Sequence, residues 1–232
     1  MRGVLFDYGL TLVSFSYPRA ALLQVLETER PHLGPDAPDA ATLMRTVLDP
    51  LEAALQEFES SEDEVDYLDF YEAAWRRAGV KASRAVLLQV LDAEQRCWDR
   101  AVRPAPGAMA TLEALRGRGL RLGIASNAPF PPAMLHRQLE VSGFAERVDA
   151  AVFSSEVGRR KPAPDLYLAA LERLGTGPAD TLFVGDRKRE DYDGPRAVGM
   201  SALLCAELAR TPPPPGVPAI RRLPDLLKCD GL

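Results

Sequence analysis

The amino-acid sequence predicts an α/β fold in which a doubly wound parallel sheet carries an inserted helical bundle. Three observations predict this fold class. A short apolar run at residues 4–6 ends in an acid, which is typical of a buried strand with a carboxylate at its carboxyl end. Residues 16–101 show helical spacing of apolar side chains and few strand signals. From residue 103 onward, helix-like and strand-like segments alternate, which favours a parallel sheet with helices on both faces.

The first strand is followed by Gly9 and Thr11, which indicate a turn. Within residues 16–101 we expect four helices, at residues 18–29, 39–59, 65–78 and 83–98. Pro18 suits a first helical turn, and Asp39 and Ser83 are residue types that commonly cap a helix N-terminus. The sequence therefore predicts an α/β core domain formed by residues 1–15 and 102–232, and a helical domain formed by residues 16–101.

The second half of the chain supplies the rest of the predicted sheet. We expect helices at residues 108–116, 132–141 and 164–174 and near Gly194, each followed by a strand. Those strands are predicted at residues 121–125, 150–153, 181–184 and 201–205. Four consecutive prolines at residues 212–215 form a stiff extended spacer, and residues 223–228 are expected to form a last helical turn.

Composition narrows the range of partners. The 232 residues are 47% hydrophobic and carry a net charge of −5, so the chain can bury a core but gives no long-range attraction for nucleic acid or anionic membranes. It contains no run of about 18 apolar residues that could span a membrane. The three cysteines (Cys97, Cys205 and Cys229) lack the spacing of a disulfide framework or a zinc site. We therefore expect a cytoplasmic protein without nucleic-acid or membrane partners, and the oligomeric state stays open.

Polar residues stand at the ends of several predicted strands. Asp7 follows the first strand, Ser126 and Asn127 follow the strand at 121–125, and Asp186 follows the strand at 181–184. Lys161 lies beyond the strand at 150–153. Because ligands bind beyond the carboxyl ends of the strands in open parallel sheets, we expect these side chains to converge on one edge.

The chemistry of these side chains is coherent. The Asp7 carboxylate can attack phosphorus and form an aspartyl-phosphate. Asp186 and Asp191 can hold Mg²⁺ together with Asp7, because this ion prefers a few oxygen ligands. Ser126 and the amides near it can bind phosphate oxygens, and the Lys161 ammonium can neutralise charge in the transition state.

Four segments resemble the motifs of the haloacid dehalogenase superfamily, and they occur in the family's order. Residues 6–12 (FDYGLTL) resemble the first motif, DxDxT, and residues 124–128 (IASNA) the second. Residues 155–162 (SEVGRRKP) with Asp165 resemble the third motif. Residues 184–191 (VGDRKRED) with Gly194 resemble the fourth, GDxxxxD. The resemblance implies a Rossmann-like core and, in the helical insert, a cap of the C1 type that marks subfamily I.

The resemblance also implies roles for individual residues. Asp7 becomes the nucleophile and a metal ligand, and Gly9 supplies a backbone carbonyl to the metal. Ser126, with Asn127 beside it, binds the phosphoryl group of a small phosphorylated substrate, and Lys161 holds both the nucleophile and that group. Asp186 and Asp191 complete the Mg²⁺ site. Apart from the resemblance, Arg159 and Arg160 are expected at the surface, as charged residues usually are.

One position departs from the motif. Gly9 stands where phosphatases of this family carry a second aspartate, which protonates the leaving group and activates water. General acid–base catalysis is typically worth about 10²–10⁴-fold in rate. Four interpretations follow: a substrate with a good leaving group, an acid supplied from elsewhere, a weakly catalytic protein that mainly binds a phosphorylated ligand, or a 2-haloacid dehalogenase. Dehalogenation is disfavoured, because dehalogenases do without the metal and this chain retains Asp186 and Asp191.

Overall fold

A computed structural model describes residues 1–229 and 231, without the side chain of residue 59. It divides into two compact units. One comprises residues 1–15, 62–64 and 102–232, of which residues 230 and 232 lie outside the described part, and the other comprises residues 16–61 and 65–101. The three residues at 62–64, which fall in the middle of the predicted helical domain, thus belong to the α/β unit.

The α/β unit contains a six-stranded parallel sheet, which confirms the predicted fold class. The strand order is β5-β4-β1-β6-β7-β8, and β2 pairs with β3 in a separate antiparallel ladder. The strands are β1 (Gly3–Phe6), β2 (Val13–Ser14), β3 (Arg103–Pro104), β4 (Arg121–Ser126), β5 (Ala150–Phe153), β6 (Thr181–Gly185), β7 (Ser201–Cys205) and β8 (Ala219–Ile220). Because β1 lies between β4 and β6, the residues that follow these three strands meet at one edge of the sheet.

Burial on both faces explains why the strands read as continuous apolar runs. Val4 and Phe6 of β1 join a core on one face of the sheet, whereas Leu5 joins a second core on the other face. Leu112 belongs to the first core and Leu166 to the second, so helices cover both faces. Parallel sheets are covered in this way because their crossover helices pack on both sides.

The helices largely follow the predicted pattern. They are α1 (Arg19–Glu29), α2 (Ala40–Leu43), α3 (Asp49–Glu57), α4 (Tyr67–Arg77), α5 (Arg84–Ala101), α6 (Ala108–Gly117), α7 (Pro132–Val141), α8 (Ser154–Val157), α9 (Pro164–Leu174) and α10 (Gly194–Ala197). Shorter 3₁₀ turns span Arg30–Leu33, Phe58–Ser60, Pro178–Asp180 and Leu223–Lys228, and π-helical turns span Met44–Leu48 and Lys188–Asp193. The Asp39 side chain caps α2 by accepting a hydrogen bond from the Thr42 amide at 2.7 Å, as its position predicts.

Two differences from the predicted elements have physical causes. The single helix expected at residues 39–59 is interrupted by the π-helical turn Met44–Leu48, a wider turn that a regular 3.6-residue pattern does not indicate. The strands β2, β3 and β8 have two residues each, which is too short to show an alternating pattern.

None of the helices in the described part of the chain has the length and apolar character that crossing a bilayer requires.

The helical unit has its own core, in which Leu26, Leu43, Tyr71 and Trp75 are almost completely buried. An acid is buried with them: the Tyr71 hydroxyl donates a hydrogen bond of 2.9 Å to the Glu94 carboxyl group. Burial raises the pKa of Glu94 from its usual 4.5 to about 8, because an ionised carboxylate is poorly solvated there. Glu94 is therefore protonated in the folded protein at neutral pH.

This burial makes stability depend on pH. Between about pH 4.5 and 8 the unfolded chain releases a proton that folded Glu94 keeps, so the free energy of unfolding falls as pH rises through that window. The expected slope is about 1.4 kcal/mol per pH unit. The Glu94→Gln variant should lack this part of the slope, which urea unfolding of both proteins at pH 5, 6 and 7 would measure. If the free energy of unfolding changed with pH by the same amount in both proteins, the prediction would be contradicted.

Candidate active site

The carboxyl ends of β1, β4 and β6 bring the predicted residues to one edge of the sheet. Asp7 directly follows β1, and its amide donates a hydrogen bond of 2.9 Å to the Val184 carbonyl of β6. Ser126 is the last residue of β4, and Asp186 is the first residue after β6. Three sequence-distant side chains are thus fixed by the rigid sheet itself, as the predicted convergence requires.

Three carboxylates form a cluster at this edge. One oxygen each of Asp7, Asp186 and Asp191 lie within 4.8 Å of one another, and all three residues are buried. The Thr11 hydroxyl lies 3.5 Å from the Asp186 carboxylate. Like charges held this close repel one another, so the cluster requires positive charge beside it.

Lys161 supplies part of that charge. Its ammonium lies 2.9 Å from Asp7 Oδ1 and 2.7 Å from Asp191 Oδ1, and its side chain is only 2% exposed. Burial alone would lower the pKa of Lys161, but the carboxylates of Asp191 and Asp7 outweigh burial and raise the pKa above its usual value. Lys161 is therefore charged at neutral pH, and it bridges two of the three acids.

The raised pKa values of two of the acids show that negative charge in the cluster is incompletely compensated. Burial, followed by repulsion from Asp7 and Asp191, raises the pKa of Asp186 to about 8, and burial raises the pKa of Asp191 as well. When all three acids are ionised, their charge exceeds that of Lys161 and of Arg187, which lowers the pKa of Asp186, so excess negative charge remains in this buried place. A divalent cation bound by oxygen ligands would neutralise it, so the residues present fit the predicted Mg²⁺.

The loop after β6 wraps closely around Asp191. The second oxygen of this carboxylate accepts hydrogen bonds from the amides of Asp186 and Arg187, at 3.0 and 2.9 Å. A Cβ atom on Gly185 would lie 2.3 Å from the Asp191 side chain, so only glycine fits there. Sequence reasoning did not assign Gly185 a role, although its place immediately before the acid of the fourth motif was the available signal.

Asn127 faces the backbone of Lys161. Its side-chain oxygen accepts a hydrogen bond of 2.7 Å from the Lys161 amide, and its side-chain nitrogen donates one of 3.1 Å to the Lys161 carbonyl. Asn127 therefore holds the lysine in place. Its predicted contact with a substrate stays a prediction, as does that of Ser126, whose side chain is buried at the same edge.

Neither the backbone conformation nor the space around position 9 requires a glycine there. The residue with a left-handed backbone there is Leu10, with φ of 59°. A Cβ atom on Gly9 would meet only the ring of Phe15, at 3.4 and 3.5 Å, which is ordinary van der Waals contact. A Cβ atom is thus compatible with the fold at position 9, so backbone geometry does not explain why the chain lacks the aspartate that the motif usually carries.

Comparison with known proteins agrees with this geometry. The sequence model of the haloacid dehalogenase-like hydrolase family matches residues 1–199. The chain is 35% identical over 144 residues to haloacid dehalogenase-like hydrolase domain-containing protein 3 of Bos taurus. The aligned segment covers 60% of this chain and 55% of that protein. It is also 36% identical over 103 residues to glyceraldehyde 3-phosphate phosphatase of Methanothermobacter thermautotrophicus. This second alignment covers 44% of this chain and 45% of that protein.

These matches span about half the length of both relatives. Among solved structures, 2-haloacid dehalogenase from Pseudomonas syringae superimposes with a TM-score of 0.73 at 23% identity, covering 98% of this chain and 97% of that one. At this identity the likeness concerns the fold alone. The family match includes the whole acidic cluster and Lys161, and on that basis the chain belongs to the haloacid dehalogenase-like hydrolase family.

Proposed function

We propose that this protein is a Mg²⁺-dependent phosphatase that hydrolyses a small phosphorylated molecule through an aspartyl-phosphate at Asp7. The observation that carries the proposal is the buried cluster of Asp7, Asp186 and Asp191 with Lys161 between two of its members. A carboxylate nucleophile, a fixed cation and a set of oxygen ligands are the parts that phosphoryl transfer through an acyl phosphate needs. The similarity to a glyceraldehyde 3-phosphate phosphatase supports this class of substrate.

The reaction has two steps. An oxygen of Asp7 attacks phosphorus, the bond between phosphorus and the leaving oxygen breaks, and the leaving group departs with the electron pair. Water then attacks the phosphorus of the aspartyl-phosphate, and the bond between phosphorus and the Asp7 oxygen breaks. This step restores the Asp7 carboxylate and releases inorganic phosphate, with the proton that water loses passing to the phosphate or to solvent.

The surrounding residues stabilise the charge that moves in these steps. The Lys161 ammonium, already 2.9 Å from the nucleophile, can reach a phosphoryl oxygen bound beside it. Ser126 is proposed to bind a second phosphoryl oxygen, and Asn127 lies next to it at the same strand end. Asp7, Asp186, Asp191 and the Gly9 carbonyl would hold Mg²⁺, which when bound supplies the charge that masks repulsion between the nucleophile and the anionic substrate.

Gly9 narrows the substrate class. With no carboxylate at this position, the leaving group must depart without a proton from that residue. Acyl and aryl phosphates meet this condition, because their leaving oxygens are weak bases. We therefore propose that such phosphates are hydrolysed faster than alkyl phosphates.

A phosphate-release assay tests the proposal. Wild-type protein would be incubated with acyl, aryl and alkyl phosphates, with Mg²⁺ or with a chelator, and inorganic phosphate would be measured. We expect Mg²⁺-dependent release that is fastest with acyl phosphates. No release from any phosphate, together with halide release from 2-haloacids, would replace the proposal with dehalogenation.

The Gly9→Asp variant tests the role of the missing acid. Because a Cβ atom at position 9 would meet only ordinary van der Waals contacts, we expect a folded protein that hydrolyses alkyl phosphates about 10²-fold faster than wild type, within the usual range for general acid–base catalysis. The Gly9→Asn variant is the matched control, since it adds similar bulk without a transferable proton. Equal rates in both variants would mean that acid catalysis does not limit turnover, and would favour a protein that mainly binds a phosphorylated ligand.

A further inference from the structure

A buried ion pair lies next to the residue that carries the candidate catalytic ammonium. One guanidinium nitrogen of Arg160 lies 2.8 Å from each oxygen of the Glu64 carboxylate. The two side chains are only 7% and 2% exposed, so this pair is far more buried than the neighbouring pair of Arg159 and Asp63, in which the acid is 81% exposed. Arg160, which was expected at the surface, is thus part of the interior.

Glu64 is tied to the α/β unit through its backbone and side chain. Its amide donates a hydrogen bond of 3.1 Å to the Gly158 carbonyl, and the Arg160 amide donates one of 2.8 Å to the Glu62 carbonyl. Ser154 donates its hydroxyl hydrogen to the Glu64 carboxylate and accepts a hydrogen bond of 2.8 Å from the Ala128 amide. The segment at residues 62–64 is therefore joined to the loop before Lys161 and to the chain after β4.

These contacts surround the backbone of Lys161. Asn127 binds the amide and the carbonyl of Lys161 from one side, and the segment at 62–64 fixes the preceding residue, Arg160, from the other. The Arg160 Nε atom is buried without a hydrogen-bond partner among the described residues, and the Glu64 carboxylate forms a buried ion pair with this guanidinium. Removing the acid would leave a buried charge that the loop can relieve only by moving.

We propose that Glu64 is a positioning residue: through Arg160 it fixes the loop that places the Lys161 ammonium between Asp7 and Asp191. The inference rests on the proposed phosphatase function. Lys161 acts by electrostatic stabilisation, which depends on the distance between its ammonium and the phosphoryl oxygens. A displacement of about 1 Å in such a group can cost about 10²-fold in rate. Glu64 itself touches neither substrate nor metal in this scheme.

The test compares Glu64→Gln with Asp63→Asn, which removes a neighbouring but exposed charge. We expect Glu64→Gln to lower kcat about tenfold or more with little change in KM, because substrate still binds but the ammonium is misplaced. Hydrogen exchange of the Lys161 amide, which is bonded to Asn127, should become faster in the same variant. Asp63→Asn should leave both measurements at their wild-type values.

A double variant separates positioning from folding. Glu64→Met with Arg160→Met removes both charges together, so no buried charge is left unpaired and the melting temperature should recover. We expect kcat to stay low, because the side-chain anchor between residues 64 and 160 is then gone. Recovery of kcat along with stability would overturn the proposal, and so would a Glu64→Gln variant with wild-type kcat.

The assays also distinguish this proposal from the one on which it rests. An inactive wild-type protein would remove the phosphatase function, and exchange of the Lys161 amide would then decide alone whether Glu64 holds the loop. Unchanged exchange in Glu64→Gln would refute that role. An active wild type with an unaffected Glu64→Gln variant would refute positioning while leaving the phosphatase function in place.

Discussion

The Asp7→Asn variant should lose phosphatase activity while keeping its fold. Asparagine has the same shape and can still accept the hydrogen bond from Lys161, but its neutral oxygen is a very poor nucleophile. Loss of a catalytic nucleophile lowers kcat by about four orders of magnitude or more. Phosphate release from an acyl or aryl phosphate measures the effect, and circular dichroism measures the fold.

The melting temperature and a control variant complete this test. Removing one of three clustered carboxylates relieves repulsion on Asp186, so the melting temperature of Asp7→Asn should be equal to or higher than that of wild type. Asp165→Asn is the control, because Asp165 is an exposed acid of the third motif and lies outside the cluster. Turnover at the wild-type rate in Asp7→Asn would rule out the aspartyl-phosphate.

The Lys161→Met variant should lose both activity and stability. Its ammonium bridges the buried carboxylates of Asp7 and Asp191, and both lose this contact in the variant. Removing one partner of a buried ion pair typically costs about 3–5 kcal/mol in the free energy of unfolding. The loss of a charge that stabilises the transition state lowers kcat about 10²–10³-fold.

Urea unfolding with and without Mg²⁺ measures the stability change. Because a bound cation would offset part of the unpaired charge, we expect Mg²⁺ to stabilise Lys161→Met more than wild type. Lys81→Met is the matched control, since Lys81 is an exposed lysine of the helical unit. A Lys161→Met protein with wild-type stability and no response to Mg²⁺ would contradict the electrostatic account of the cluster.

The sheet and the catalytic edge could be predicted because their signals are local. Apolar runs that end in Asp7 and Asp186 mark buried strands, and parallel strands necessarily bring their carboxyl ends to one edge. Elements of two residues, such as β2 and β8, could not be predicted, because a period needs several repeats to appear. The π-helical turn Lys188–Asp193 was likewise absent from the regular helical pattern.

The sequence by itself determined which chemical groups stand at the strand ends: the nucleophile candidate Asp7, the acid Asp186 and the glycine at position 9. Only the tertiary structure decided how those groups are held. The hydrogen bonds of Asn127 join residues 34 positions apart, and the Arg160–Glu64 pair joins residues 96 positions apart. Periodicity records which face of a helix or strand is buried, whereas contacts between distant loops depend on the path of the whole chain.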